Sequence, residues 1–244
     1  MIEAKNLSKQ FGEVAAVNDL SLKVKDGSIT GLLGPNGSGK TTTLRMLYTL
    51  MRPDSGKVLI DGIDASENPV DARRRLGVVP DSRGIYPRMT SAENLKYYGR
   101  LQGMEGDELE ARVQGLSVQL GMEEIIDRRT EGFSQGQRVK VAIARAMMAS
   151  PGNLLLDEPS NGLDVMSTRS LRQFLAAQKE EGRAVLLSTH IMQEVAALCD
   201  NIIVIARGRV CAEGSADELK EKTSEESLED AFVKLIGSDE GLMA

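Results

Sequence analysis

An eight-residue segment, Gly34–Thr41, constrains the fold of this 244-residue chain more than any other part of it. It reads Gly-Pro-Asn-Gly-Ser-Gly-Lys-Thr and matches the pattern G-x-x-x-x-G-K-[ST]. An apolar run, Ile29–Leu33, precedes it, and the residues Thr41–Leu50 that follow have the character of a helix. The glycines let the backbone curl with its N–H groups pointing inward. The segment therefore predicts a strand, a phosphate-binding loop and a helix, in that order.

Two side chains of this loop have expected partners on a nucleoside triphosphate. Lys40 would reach the β- and γ-phosphates, and the Thr41 hydroxyl would ligate Mg²⁺. The alternative is a glycine-rich loop that only turns a strand into a helix. The expected contacts are Gly34, Pro35, Asn36, Gly37, Ser38, Gly39, Lys40, Thr41 and Thr42.

A second acidic segment follows a short buried run, Leu154–Leu156, that predicts a strand. A carboxylate at the end of such a strand can hold a magnesium ion, which suits Asp157. Glu158 could polarise the attacking water as a general base. Apolar runs that end in acidic residues are common, so a purely structural role is the alternative for both carboxylates.

The pattern along the chain predicts an α/β protein. Alternating segments at Ile2–Leu7, Val14–Val17 and Leu20–Val24 predict an antiparallel amino-terminal sheet. Strands and helices alternate again after residue 153, as in a mostly parallel sheet covered by helices. Between them, residues 82–148 read as helical, with a capping box at Thr90–Glu93. We expect a single domain, with an α/β core (1–81 and 149–220), an inserted helical part (82–148) and an amphipathic tail helix (221–244).

The segment Phe133-Ser-Gln-Gly-Gln137 lies shortly before Asp157 and opens a predicted helix. It resembles the L-S-G-G-Q signature of ATP-binding cassette (ABC) proteins, and the resemblance extends over nearly the whole chain. Ser134 and Gln137 also have capping-box spacing, so a helix cap alone is the alternative. The predicted helix start offers N–H groups and a hydroxyl to an anion, and the expected nucleotide contacts there are Ser134, Gln135, Gly136 and Gln137.

The resemblance implies roles for further residues. Phe11 would pack against adenine, with Val17 as a further nucleotide contact, although Phe11 could instead be a core or edge aromatic. Asp164 lies in a segment similar to the family's D-loop. His190 resembles the switch histidine that reaches the γ-phosphate, although a single histidine is more often an ordinary surface or core residue. The family also implies a head-to-tail dimer, homo- or heteromeric, that encloses two ATP molecules between phosphate loops and partner signatures.

Two residues depart from the family pattern. Gln135 stands where the first signature glycine is expected, which could change the local backbone. Asp81 follows Val78-Val-Pro80, where the family has a glutamine that touches the metal and senses the permease. Asp81 either takes over the magnesium contact or is a plain loop residue.

Composition narrows the class of function. Lys and Arg total 30 against 36 Asp and Glu, and a net charge of −6 disfavours nucleic acid as a partner. Two cysteines and one histidine do not make a four-ligand zinc site. No apolar run approaches the roughly 18 residues that span a bilayer, and no apolar leader begins the chain.

The resemblance therefore implies a cytoplasmic ATPase subunit, peripheral on the inner face of the membrane, that powers a separate integral-membrane permease. Segments such as Lys57–Gly62 and Ser227–Phe232 resemble sodium-extrusion and drug-export subunits. The alternative is a soluble ABC ATPase that acts on nucleic acid or ribosomes.

Overall fold

In the computed structural model, which describes residues 1–237, the chain begins with two antiparallel strands, β1 (Ile2–Phe11) and β2 (Val14–Val24). With β4 (Ser55–Ile60) and β5 (Ile63–Asp64) they form a sheet of order β2-β1-β4-β5. The prediction of two separate strands within Val14–Val24 is wrong. Asn6 and Asp19 adopt left-handed backbone conformations and share a 2.9 Å side-chain hydrogen bond. The pairing therefore continues through local irregularities.

A second sheet carries the predicted phosphate loop, and its strand order is β10-β9-β3-β8-β7-β6. Only the β9–β10 pair is antiparallel among the described pairings of this sheet, which confirms the mostly parallel core. The carboxyl ends of the parallel strands therefore meet at one edge. The strands are β3 (Ser28–Leu33), β6 (Leu76–Val79), β7 (Asn153–Asp157), β8 (Ala184–Thr189), β9 (Asn201–Ala206) and β10 (Arg209–Gly214).

Helices pack on both faces of this sheet. The first helix, α1 (Lys40–Leu47), ends before the predicted Leu50, because Thr49 adopts a left-handed conformation at φ 63°. The predicted capping box at Thr90 and Glu93 is present. The helices are α1 (Lys40–Leu47), α2 (Pro69–Arg74), α3 (Ser91–Leu101), α4 (Gly106–Gln119), α5 (Gln135–Met147), α6 (Val165–Glu180), α7 (Met192–Leu198), α8 (Ala216–Thr223) and α9 (Leu228–Gly237). None of the helices in residues 1–237 combines the length and apolarity that a membrane crossing requires.

Alternation along the buried strands divides the core. Leu154 and Leu156 of β7 face an apolar cluster that also includes the helical segment α3–α5. Leu155, between them, faces the opposite cluster, which fills the space between the two sheets and includes α1. The helical segment thus packs on one face of the sheet, between β6 and β7 in the sequence.

The carboxyl-terminal helices close the other end of the sheet. Leu228 and Phe232 of α9 are buried against a cluster that includes Ile202 and Val204 of β9. Leu235 and Ile236 are partly buried and pack against the same cluster. Helix α8 spans the expected core boundary at residue 220. Residues 238–244 of the predicted tail helix lie outside the described residues.

Candidate active site

The predicted phosphate loop connects β3 to α1, and two of its glycines leave no room for a side chain. A Cβ at Gly34 would lie 2.3 Å from the Ile205 carbonyl oxygen and 2.5 Å from Ser38 Oγ. Gly39 has φ 106°, and a Cβ there would lie 2.5 Å from the Ala16 carbonyl oxygen. Both glycines are therefore required by close packing against neighbouring backbone as well as by the turn.

The loop is anchored to the turn between β9 and β10, since the Gly208 amide donates to the Ser38 carbonyl at 2.9 Å. Lys40 Nζ is curled back onto the loop and donates to the carbonyls of Gly34 (2.7 Å) and Pro35 (3.1 Å). Burial lowers the pKa of the Lys40 ammonium, while the carboxylates of Glu158 and Asp157 oppose this shift. A partly desolvated cation and the free N–H groups of the first turn of α1 make this end of the helix attractive to an anion.

Asp157, the last residue of β7, and Glu158, which follows it, are both held by hydrogen bonds to Ser188 of β8. Ser188 Oγ donates to Asp157 Oδ1 at 2.6 Å, and the Glu158 amide donates to Ser188 Oγ and to the Ser188 carbonyl, both at 3.1 Å. Asp157 is buried, and Glu158 has a left-handed backbone at φ 48°. His190 Nδ1 lies 2.9 Å from Glu158 Oε2. The histidine follows the end of β8, with half of its side chain exposed, so it is not a core residue.

An open cavity of about 540 Å³ brings many of the predicted residues together at the carboxyl edge of the sheet. Its lining does not include Gly34, Pro35, Ser38 or Asp157. Asp81 lines this cavity together with Glu158 and His190. Phe11 is half exposed at its rim and is therefore not a core aromatic. The lining residues are Phe11, Ala16, Asn36, Gly37, Gly39, Lys40, Thr41, Thr42, Asp81, Glu158, Asn161 and His190.

Val17 is not among these residues. Its side chain is buried in the cluster between the two sheets, and the neighbouring Ala16 lines the cavity instead. Strand alternation turns the Val17 side chain inward, and its expected contact with the nucleotide stays a prediction.

The signature residues and Asp164 do not line this cavity in the single chain. Ser134 caps α5 by accepting from the Gln137 amide at 3.2 Å, and Gln137 Oε1 accepts from the Ser134 amide at 3.1 Å. The capping box therefore exists, as the alternative interpretation requires. A Cβ at Gly136 would lie 2.3 Å from Ser167 Oγ, so glycine allows the start of α5 to approach the start of α6. Asp164 caps α6 through a 2.7 Å bond from the Ser167 amide.

Three residues that hold the site were not predicted from the sequence. Ser188 bonds both acidic residues, and its signal was a polar residue at the end of the apolar run Ala184–Leu187. Asn161 lines the cavity, and its backbone N–H donates to the Glu158 carbonyl at 3.2 Å. Glu194 of α7 is buried and accepts from the Ser160 hydroxyl, which ties the loop after Glu158 to the helix after His190.

The donor chemistry of the site fits a magnesium nucleotide. Ser38 Oγ is buried in the loop without a hydrogen-bond partner, as expected of a hydroxyl that faces a ligand. Thr41 and Asp157 offer hard oxygen atoms, at the start of α1 and at the end of β7. Mg²⁺ takes one or two such groups together with substrate phosphates and water.

Comparison with known proteins agrees with this geometry. The sequence profile of the family described as "ABC transporter" matches residues 17–161. The ABC transporter ATP-binding protein NatA of Bacillus subtilis is 42% identical over 96% of this chain and 97% of its own length. The Nod factor export ATP-binding protein I of Burkholderia lata is 39% identical over 90% of this chain and 72% of its own length. The probable multidrug ABC transporter ATP-binding protein YbhF of Escherichia coli is 35% identical over 97% of this chain, which spans 42% of YbhF.

Solved structures show the same fold. The ATP-binding subunit of an ABC transporter superposes with a TM-score of 0.87 at 30% identity, covering 96% of this chain and 99% of that one. The dimeric ABC transporter cassette MJ0796 superposes with a TM-score of 0.80 at 29% identity, covering 88% and 98%. The same cassette is also known in a post-hydrolysis state bound to ADP and Pi, at 28% identity. The profile match and the long alignments agree with the phosphate loop, the paired carboxylates and the signature helix: the chain belongs to the ABC transporter family and is one of its ATP-binding ATPase cassettes.

Proposed function

We propose that this cassette hydrolyses ATP between two subunits and drives a separate membrane permease of an exporter. The observation that carries the proposal is the convergence of Lys40, Glu158, His190 and Asp81 on one cavity at the carboxyl edge of the sheet. This arrangement offers a phosphate cradle, a base and an oxygen ligand within a single site.

Glu158 is the proposed general base. Its left-handed backbone and its two bonds to Ser188 aim the carboxylate into the cavity, where it can accept a proton from an attacking water. His190, 2.9 Å from this carboxylate, orients it and presents the other ring nitrogen to the γ-phosphate. Lys40 neutralises phosphate charge, for which it must leave the two loop carbonyls that it now contacts.

The proposed magnesium ligands are the Thr41 hydroxyl and the Asp157 carboxylate, with Asp81 as a further oxygen donor. When bound, Mg²⁺ neutralises charge on the phosphates as it develops during transfer. Ser188 orients the Asp157 carboxylate through the 2.6 Å bond. Phe11, at the rim, is placed to stack on the adenine ring.

The signature is proposed to act in trans. Ser134, Gln135, Gly136, Gln137 and Asp164 lie away from the phosphate loop, and the start of α5 carries free N–H groups. A head-to-tail dimer would bring them to the partner's nucleotide, and the dimeric cassette MJ0796 supports this assembly.

The transport role is inferred from the relatives. The names of NatA, the Nod factor export protein and YbhF describe ATP-binding proteins of transporters. We propose that this chain likewise binds a permease at the inner membrane face, through residues 82–148, and that the transported substrate is sodium or a drug-like compound. In this scheme residues 1–81 and 149–220 form the nucleotide-binding core, and residues 221–244 form a tail.

Two variants test the chemistry. Lys40→Ala should weaken ATP binding and abolish turnover, because the phosphates lose a positive charge. Glu158→Gln should bind ATP and retain it, and its mass by size-exclusion chromatography with ATP and Mg²⁺ should be that of a dimer. Wild-type turnover by Glu158→Gln would remove Glu158 from the mechanism.

The dimer is tested by concentration. Specific activity should rise with protein concentration, since the competent species is a dimer. Ser134→Arg should block turnover while the monomer still binds ATP. Turnover that does not depend on concentration, measured on a monomer, would contradict the proposal.

The permease is tested by cross-linking in native membranes, followed by purification of the chain. An integral-membrane protein should be recovered in a stoichiometric complex, and adding it back should change the ATPase rate. Recovery of ribosomes or nucleic acid instead, with stimulation by them, would favour the alternative function.

A further inference from the structure

Arg83 lies beside the active site in a position that is energetically unfavourable for an arginine. It follows β6 and Asp81, its backbone is left-handed at φ 54°, and only 9% of the residue is exposed. Burial lowers the pKa of its guanidinium, and so does the positive charge of Arg138, whereas Asp81 raises it. Glycine would adopt this backbone more easily than arginine. The side chain therefore needs an explanation beyond the turn itself.

The guanidinium bridges two segments that are distant in sequence. Nη1 donates to Gln135 Oε1 at 2.5 Å, and Nη2 donates to the Asn161 carbonyl at 3.1 Å. Gln135 is the first residue of α5, directly after Ser134, and its Cγ lies beside Gly162. The family's glycine at position 135 could not accept the bond from Arg83.

Two adjoining cavities share this bridge. A second cavity, of about 300 Å³, is lined by Arg83, Gln135 and Arg138. Asp81 and Asn161 line both this cavity and the one that holds Lys40 and Glu158. Arg83 is therefore one hydrogen bond from the signature and one from the loop that follows Glu158, without lining the nucleotide cavity itself.

We propose that Arg83 is a positioning residue that fixes the start of the signature helix α5 against the loop 158–162. Because the signature acts on the partner's nucleotide in the proposed dimer, on which this inference rests, the bridge links the two halves of the ATPase site within each subunit. Loss of the bridge should misplace Ser134 and Gly136 in the dimer and slow hydrolysis. ATP binding by the single chain should not change, because Arg83 is not in the phosphate cradle.

The test compares Arg83→Met, Gln135→Ala, the double variant and Arg88→Met. Arg83→Met keeps the long stem and removes the donors, and Arg88 is an exposed arginine five residues away that serves as the matched control. We expect kcat to fall about tenfold in Arg83→Met, about 1.4 kcal/mol by the usual conversion, with KM for ATP within twofold. Gln135→Ala should cause a similar loss, and the double variant should be no slower than the slower single variant. Arg88→Met should keep the wild-type kcat.

The free energy of unfolding of each variant is measured in parallel, so that a smaller folded fraction is not mistaken for a lower kcat. Wild-type kcat in folded Arg83→Met, or losses that multiply in the double variant, would overturn the proposal. If wild-type turnover is independent of protein concentration, the proposed dimer fails, whatever the Arg83 variants do. If turnover depends on concentration but the two losses multiply, the dimer stands and the Arg83 bridge does not.

Discussion

Replacement of Ser188 by alanine should separate the stability of the site from its chemistry. This hydroxyl is fully buried, donates to the buried Asp157 carboxylate at 2.6 Å and accepts from the Glu158 amide at 3.1 Å. Ser188→Ala removes both bonds and leaves the Asp157 oxygen without this donor in a nearly dry position. The Glu158 amide keeps its bond to the Ser188 carbonyl, so the backbone of the loop retains one of its two anchors.

The expected magnitude follows from the carboxylate. A hydrogen bond to a charged group contributes about 1.5–3 kcal/mol, and a buried acceptor left without its donor costs about 1–3 kcal/mol. We therefore expect the free energy of unfolding to fall by about 2 kcal/mol. Turnover should fall as well, because the Asp157 carboxylate loses an orienting contact and the backbone of Glu158 loses one of its two anchors. Lys40 and its loop are untouched, so nucleotide affinity without Mg²⁺ should change little.

Guanidinium titrations of wild type, Ser188→Ala and Ser170→Ala measure the effect. Ser170 is an exposed serine that bonds the Met166 carbonyl within α6, and its replacement should cost less than about 0.5 kcal/mol. The midpoint of Ser188→Ala should shift at an unchanged m-value. A loss no larger than that of Ser170→Ala would refute the argument that this hydroxyl stabilises the buried carboxylate.

Further predictions concern charge and packing. Removal of Mg²⁺ should weaken ATP binding roughly fivefold more in wild type than in Asp81→Gln, because ~1 kcal/mol of charge repulsion between the Asp81 carboxylate and the phosphates is then no longer screened by the metal. Calorimetric titrations with and without Mg²⁺ measure this difference. Equal metal dependence in the two proteins would make Asp81 a plain loop residue. Hydrogen bonds from the backbone and side chain of Ser167 lower the pKa of Asp164, so its capping contribution should be complete above the usual value of ~3.9 and lost as pH falls through the lower folded value. Asp164→Asn should lack this dependence, and parallel stability profiles of the two proteins would contradict it. Phe232→Ala should lower the free energy of unfolding by about 3 kcal/mol, because the ring is buried on the inner face of α9. Val233→Ala, at an exposed position of the same helix, should lower it by less than about 0.5 kcal/mol. Similar losses in the two variants would show that α9 is not stabilised by its buried face.

Local patterns allowed much of this fold and site to be predicted. The phosphate loop and the capping boxes at Thr90 and Ser134 depend on backbone N–H groups that neighbouring residues satisfy. Spacing in the sequence is therefore sufficient to recognise them. The placement of Glu158, Asp81 and His190 on one edge follows from parallel strands, once alternation of strands and helices is recognised.

Contacts between residues that are distant in the sequence were not predicted. Val17 belongs to an alternating strand, and which face of that strand is buried is decided by the second sheet. Ser188 acts on Asp157 from a neighbouring strand, 31 residues away. Arg83 meets its partners across separations of 52 and 78 residues. Periodicity and spacing describe neighbours along the chain and carry no information on such pairs.

A left-handed backbone alone does not tell whether a residue belongs to an ordinary turn or to the active site; the contacts of its side chain must be considered as well. Asn6 and Asp19 adopt left-handed conformations at irregularities of β1 and β2, which asparagine and aspartate tolerate. Glu158 and Arg83 have no such tolerance, yet both adopt the conformation: Glu158 directly follows β7, and Arg83 lies four residues after the end of β6. Each then uses its side chain on a distant partner, Glu158 on His190 and Arg83 on Gln135. Strain of this kind persists only where surrounding contacts fix it. Arg207, in the turn from β9 to β10, has the same conformation and serves chain reversal. At Glu158 and Arg83, by contrast, the strained backbone coincides with a side chain that holds the site together.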